Sequence, residues 1–178
     1  MVAHFFLKTE RLIISEFNED MIESVWRNSL DEDNRRFVPD EVFETIEDAK
    51  QTVLWLIGCY GNSNEPQVHP IMLHNGKNIG YVQAVPTQDG WEIGYHVAKA
   101  YTSNGYATEA VRAFLPTVMK KLAIERISGI CLSENVASRR VMEKCGFVLL
   151  REGTGDYQGS ERTICDYIFT AHDAQLNG

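Results

Sequence analysis

The chain has 178 residues, 44% of them hydrophobic and 24% charged, and 17 Lys plus Arg against 25 Asp plus Glu give a formal net charge of −8. At this length a chain buries roughly 70% of the surface its unfolded form exposes, so neither disulfides nor a structural metal is needed to hold a core. The negative balance repels phosphate backbones, which argues against nucleic acid as a partner and suits a cationic or amine-bearing one.

Thr9 to Phe17 places Leu12 and Ile14 on one side and Ile13 on the other, the pattern of a strand buried on both faces. Asn18 followed by Glu19-Asp20 sets a capping side chain and two carboxylates at a helix start, and Met21, Ile22, Val25 and Trp26 recur at helical spacing, so a first helix is expected at about 19 to 28. Leu30 to Glu44 is charged, contains Pro39 and shows no period. Thr45 opens a second helix with Ala49, Val53, Leu56, Ile57 and Tyr60 in one stripe, ended by Gly61 to Pro66. Three strands follow, Val68 to Leu73, Asn78 to Val85 and Trp91 to Val97, joined by the turns Asn75-Gly76 and Asp89-Gly90 into an antiparallel meander.

Gly105 to Leu122 reads as a long helix with Ala107, Ala110, Val111, Phe114, Leu115, Val118 and Leu122 on its apolar side; Pro116 predicts a kink unless the helix ends early. Arg126 to Leu132 is a strand and Asn135 to Lys144 a helix stopped by Gly146. Phe147 to Glu152 and Thr163 to Thr170 are closing strands around a Gly-rich turn. The order β-α-α-β-β-β-α-β-α-β-β describes an α/β (α+β) domain over 1–178, with its core at about 7–170 and helices on both faces of a mixed sheet.

The longest strongly apolar stretch, Val53 to Tyr60, is far short of the ~18 residues of a membrane span. Met1 to Phe6 lacks the charged-then-apolar layout of a secretion signal, so a cytoplasmic protein that does not enter the membrane is expected. Cys59, Cys131, Cys145 and Cys165 form no Cys-x-x-Cys, and His4, His69, His74, His96 and His172 form no His-x-x-x-His pair. No metal site or disulfide framework is therefore expected, and each cysteine reads as a small buried hydrophobe.

The strand Trp91-Glu92-Ile93-Gly94-Tyr95-His96-Val97 leads through a short loop into Thr102-Ser103-Asn104-Gly105-Tyr106-Ala107-Thr108-Glu109-Ala110. A glycine-containing loop entering a helix offers unpaired backbone N–H groups and the positive end of the helix dipole, the makings of a phosphate site. After the next strand comes Asn135-Val136-Ala137-Ser138-Arg139-Arg140-Val141-Met142-Glu143-Lys144-Cys145-Gly146-Phe147. These segments together, with the opening Thr9-Glu10-Arg11-Leu12, resemble the GNAT acyltransferase superfamily, in its Rim-type branch of ribosomal-protein N-terminal acetyltransferases.

That resemblance implies a mixed, mostly antiparallel sheet of about seven strands with strands 4 and 5 splayed, flanked by about four helices. It implies acetyl transfer from acetyl-CoA, without a metal, to a primary amine by direct attack in a ternary complex, most naturally to a protein N-terminus. The strand carrying Tyr95, His96 and Val97 would pair with the pantetheine arm, an added strand where the sheet is locally open. The amides of Ser103, Asn104, Gly105, Tyr106, Ala107 and Thr108 would hold the pyrophosphate, Asn135 the pantetheine, and Ser138 would face the thioester. Arg139 and Arg140 are within reach of a 3′-phosphate or form a solvated helix face.

Glu92, on the same strand face as Gly94 and His96, is the leading candidate base; His96 is a bystander at the cofactor rim or a second base, and Glu109 serves the helix dipole. Two positions depart from the family. Thr102-Ser103 stands where relatives often have Gln or Arg followed by Gly, and Met142 stands where many carry a tyrosine acid for the departing thiolate. An acyl-CoA-binding module without turnover, or an acetyltransferase of a small amine such as a polyamine or an aminoglycoside, fits the same residues. The acceptor is expected to be set by Leu30 to Phe43 and by the turn Gly153 to Glu161, and association of two copies is compatible with this reading.

Overall fold

A computed structural model describes residues 4–171. The expectations that touch Met1 to Ala3 and His172 lie outside the described residues. Eight strands form one sheet in the order β1-β2-β3-β4-β5-β6-β8-β7. They are β1 (Leu7–Lys8), β2 (Leu12–Ile14), β3 (Gln67–Leu73), β4 (Asn78–Thr87), β5 (Gly90–Val97), β6 (Arg126–Leu132), β7 (Val148–Tyr157) and β8 (Ser160–Thr170). Five helices accompany them: α1 (Ile22–Ser29), α2 (Glu32–Phe37), α3 (Ile46–Cys59), α4 (Tyr106–Leu122) and α5 (Val136–Lys144). Among the described residues, neighbouring strands are antiparallel except for β5 and β6, which run parallel.

The meander, α3, α4, β6 and α5 fall where the sequence puts them. Thr45 caps α3 through a reciprocal box, its Oγ1 accepting from the Asp48 amide at 3.2 Å while the Asp48 carboxylate accepts from the Thr45 amide at 3.1 Å. Pro116 lies inside α4, which does not end early but runs on to Leu122. Apolar residues of α4, led by Phe114, pack with Leu12, Ile14, Ile71 and Ile79 of the sheet into the larger core cluster. Val53 and Leu56 of α3 form a smaller one with Phe17 and Val68. The adjacent β4 residues Tyr81 and Val82 go to different clusters, as the two-residue period of a strand requires.

Three expectations are corrected. The first strand is only Leu12–Ile14, preceded by the separate β1, and Ile13 is half-buried where Leu12 and Ile14 are fully buried. The stretch after Leu30 is not structureless: it forms α2 and a 3-10 turn over Pro39–Glu41. α2 escapes a search for apolar period because its buried residue is polar, Asn34, whose Nδ2 donates to the Ser29 carbonyl at 3.1 Å. The closing strands are longer than predicted, pairing from Val148 with Ile168 out to Tyr157 with Ser160, so the turn between them is Gln158-Gly159. Much of β7 is exposed on both faces, so its side chains carry no alternation to read.

Candidate active site

β5 and β6 register at a single pair, Glu92 with Ser128, where the Ser128 hydroxyl donates to the Trp91 carbonyl at 3.0 Å. Beyond it the strands part, and a cleft of about 950 Å³ opens between them. Tyr95, His96 and Val97 line one wall, with Ile130, Cys131, Asn135 and Ser138 on the β6–α5 side. Ser103, Gly105, Tyr106, Ala107 and Thr108 close one end, and Arg140 and Lys144 lie along it.

The loop at that end is held from outside. Gly105 precedes α4 at φ 79, and Ser103 stands at φ 64, a left-handed conformation that favours glycine. Asn104 does not line the cleft: its Nδ2 donates to the Tyr101 and Thr102 carbonyls at 3.1 and 2.9 Å, and its own carbonyl accepts from Arg11 Nη1 at 2.9 Å. Arg11 also donates from Nε to Glu109 at 2.7 Å and lies over the Tyr106 ring at 4.5 Å, while Thr9 Oγ1 donates to Glu109 at 2.6 Å. Burial alone would raise the Glu109 carboxyl, but the Thr9 and Arg11 hydrogen bonds outweigh it and hold it below the ordinary range. Glu109 therefore does more than complement the dipole: it ties the chain's opening Thr9-Glu10-Arg11-Leu12 to the loop. No side chain caps the start of α4, so its first N–H groups face the cleft end as donors for an anion. The residues present there fit the phosphates of a nucleotide-bearing thioester.

On the opposite wall Asn135 caps α5, its Oδ1 accepting from the Ser138 amide at 3.1 Å. The Tyr95 hydroxyl spans the gap to Ser138, 2.9 Å from its carbonyl and 2.9 Å from its Oγ. Burial pushes the Tyr95 phenol well above its ordinary range, so it remains a neutral donor. Met142, where the resemblance implies a tyrosine in many members, is buried, and its Sδ packs against Gly129, where a Cβ would stand only 2.7 Å away. Arg139 turns from the cleft to Glu152 at 3.3 Å and to the Ser133 carbonyl.

The other end of the cleft is acidic, lined by Asp33, Asp40, Glu41, Glu92 and Asp156. Burial and then the charge of Asp166 raise the Glu92 carboxyl above its ordinary value. His96 is turned towards α2, its Nε2 3.7 Å from Asp31, and burial lowers its pKa against the pull of Asp31. Glu41 was not legible in the sequence; burial and the neighbouring Asp40 push its carboxyl up to about 7. The sole pointer was Pro39, which opens the turn that carries it. Both segments expected to shape the acceptor site reach this end, and the Tyr157 hydroxyl joins them by donating to the Phe37 carbonyl at 2.7 Å. All four cysteines are buried and free, and among the described residues no group of three or more His, Cys, Asp or Glu could hold a metal ion. No helix among them is long and apolar enough to cross a membrane.

Residues 11–148 match the acetyltransferase (GNAT) domain family. The chain is 32% identical over 150 residues to the uncharacterized N-acetyltransferase YnaD of Bacillus subtilis, covering 83% of this chain and 84% of that protein. A GNAT-family acetyltransferase from Bacillus anthracis superposes with a TM-score of 0.79 at 27% identity, over 93% of this chain and 98% of the other. The ribosomal L7/L12 α-N-protein acetyltransferase RimL in complex with coenzyme A has the same fold, with a TM-score of 0.79 at 16% identity over 93% and 98% of the two chains. The chain belongs to the GNAT family, and it is an N-acetyltransferase.

Proposed function

We propose that the protein transfers the acetyl group of acetyl-CoA to the α-amino group of a protein or peptide, by direct attack while both substrates are bound. The observation that carries this reading is the polarity of one cleft: open backbone donors at the α4 end, carboxylates at the other, and a parted strand pair between them. RimL, which shares the fold, is a ribosomal L7/L12 α-N-protein acetyltransferase seen in complex with coenzyme A.

Ser103 and the amides of Gly105 to Thr108 hold the pyrophosphate, and the Asn104 side chain shapes that loop from behind. Arg140 reaches the 3′-phosphate. The backbone of Tyr95 to Val97 pairs with the pantetheine arm, which Asn135 also meets, an edge addition that the missing β5–β6 bonds permit. Ser138 donates to the sulfur as the C–S bond breaks. A thiolate leaving group needs only that hydrogen bond, so a core methionine at 142 is no obstacle. Glu92 draws the ammonium into the cleft and takes up its proton through one water.

An α-amino group, with a pKa of about 8, is partly neutral at physiological pH, whereas a lysine at about 10.4 is not, so modest carboxylate bases suit an N-terminal acceptor. The five carboxylates at the acceptor end favour a second reading, a small amine with more than one positive charge. A thiol-release screen over peptides of varied N-terminus, polyamines and aminoglycosides separates the two. Peptide N-termini should turn over fastest, and preference for a polyamine would replace the first reading with the second.

A further inference from the structure

We infer that Glu41 is the final acceptor of the proton lost by the attacking amine and that Gln83 is the residue that positions it. This rests on the acyl-transfer reading above and adds a residue to it. The 3-10 turn Pro39–Glu41 lowers Glu41 into the cleft wall, where its Oε1 accepts from Gln83 Nε2 at 3.2 Å. Gln83 reaches it across β5. Its antiparallel partner there is Gly94, and a Cβ on Gly94 would stand 2.6 Å from Gln83 Nε2 and 2.9 Å from its Cγ. A glycine inside a strand marks a close approach; here the bare backbone of Gly94 is the track along which the glutamine lies.

The charges that bear on Glu41 among the described residues are Asp40 on its own turn and Glu92 on β5, both negative, and the Tyr157 phenol on β7 also faces it; Asp166 on β8 acts in turn on Glu92. Burial, then these acids, hold the Glu41 carboxyl at about 7, while the Gln83 donor pulls it down. A carboxylate that titrates near the operating pH is a far better proton acceptor than an unperturbed one.

The step balances. The ammonium gives one proton by way of Glu92 and its water to Glu41, and the freed nitrogen lone pair forms the C–N bond to the thioester carbonyl carbon. The C–S bond breaks with its electron pair on sulfur, the surplus N–H proton passes to that sulfur to give the thiol, and Glu41 returns its proton to solvent.

The test pairs two measurements on wild type, Glu41→Gln and Gln83→Met: kcat/KM against pH on an N-terminal peptide, and 13C NMR titration of labelled glutamate carboxyls without acetyl-CoA. Wild type should show a carboxyl titrating near pH 7 and a rate that falls below the same pH. In Glu41→Gln the resonance should vanish and the limb should move up to the pKa of the amine itself, about 8, with the rate at pH 8 down ~100-fold and the melting shift given by acetyl-CoA retained. In Gln83→Met both should move to higher pH, because a donor to the charged form is lost. A limb or resonance that stays near pH 7 in Glu41→Gln, or that does not move in Gln83→Met, overturns the assignment while leaving acyl transfer intact. A wild-type protein that transfers to no amine overturns acyl transfer, and the role of Glu41 with it.

Discussion

The hydroxyls of Tyr95 and Ser138 lie 2.9 Å apart across the gap between β5 and α5, where the two halves of the sheet have parted. Tyr95 can satisfy itself on the Ser138 carbonyl, leaving the Ser138 hydroxyl proton to be turned towards a developing thiolate. Ser138→Ala should therefore lower turnover by about 100-fold, the cost of one lost donor at a developing anion, with acetyl-CoA affinity nearly unchanged. Tyr95→Phe should cost less, since it removes the support and keeps the donor. An alanine variant with full turnover would take the Ser138 hydroxyl out of the mechanism.

Acetyl-CoA at 100 times its dissociation constant should stabilise the fold by about 2.7 kcal/mol, read as a melting shift of a few degrees. Gly105→Val should abolish that shift. A Cβ at Gly105 meets only Arg11 Nη2 at 3.5 Å, so space is not the obstacle to folding. The left-handed φ of 79 is strained for valine, which should cost about 1 to 3 kcal/mol without ligand, and the branched side chain would stand between the loop amides and the pyrophosphate. A variant with the full ligand shift would remove this loop from the binding site.

The parts of the site that sequence reveals are those whose local structure and chemistry coincide. Glu92 and Tyr95 sit on a strand with clear alternation, Gly105 and Asn135 begin helices with clear stripes, and each boundary is a chemical feature as well. Glu41 is different. Its burial depends on β4 and β5 bringing Gln83 over Gly94, a tertiary event with no local signature, and it follows α2, whose packing rests on the buried amide of Asn34. Asn104 has a part with no local signature either: its side chain is spent on the loop's own carbonyls, whatever its amide does.

Acid should weaken the fold through His69. The ring is fully buried, stacked between Phe5 at 4.0 Å and Tyr60 at 4.9 Å, with Nδ1 donating to the Ser15 carbonyl at 2.8 Å. Burial lowers its pKa to about 4, against the Ser15 bond, while Lys121 pushes the same way as burial. The unfolded chain binds the proton below about pH 6.5 and the folded one only near 4, so this contribution is complete above 6.5 and lost as pH falls to 4, up to about 3 kcal/mol. His69→Phe keeps the stacking and removes the proton site. Urea unfolding between those pH values should show a flatter stability loss for the variant, and equal slopes would clear His69 of any part in acid unfolding.

Glu92 bears on the choice of acceptor as well as on rate. Its carboxylate lies in the acidic end of the cleft, half-buried and raised by that burial, where it can both attract an ammonium and accept a proton through water. Glu92→Gln removes both actions but keeps the shape, so the rate on an α-amine peptide should fall by about 10- to 1000-fold at pH 7.5. The loss should shrink as pH rises towards about 9, because the amine, with a pKa of about 8, then arrives already neutral and needs no help. A lysine side chain stays charged over the same range, so its rate in wild type should remain below that of the N-terminal amine. Rate profiles of both proteins on both acceptors decide the matter: coincident profiles would take Glu92 out of the mechanism, and faster transfer to lysine would take away the N-terminal acceptor.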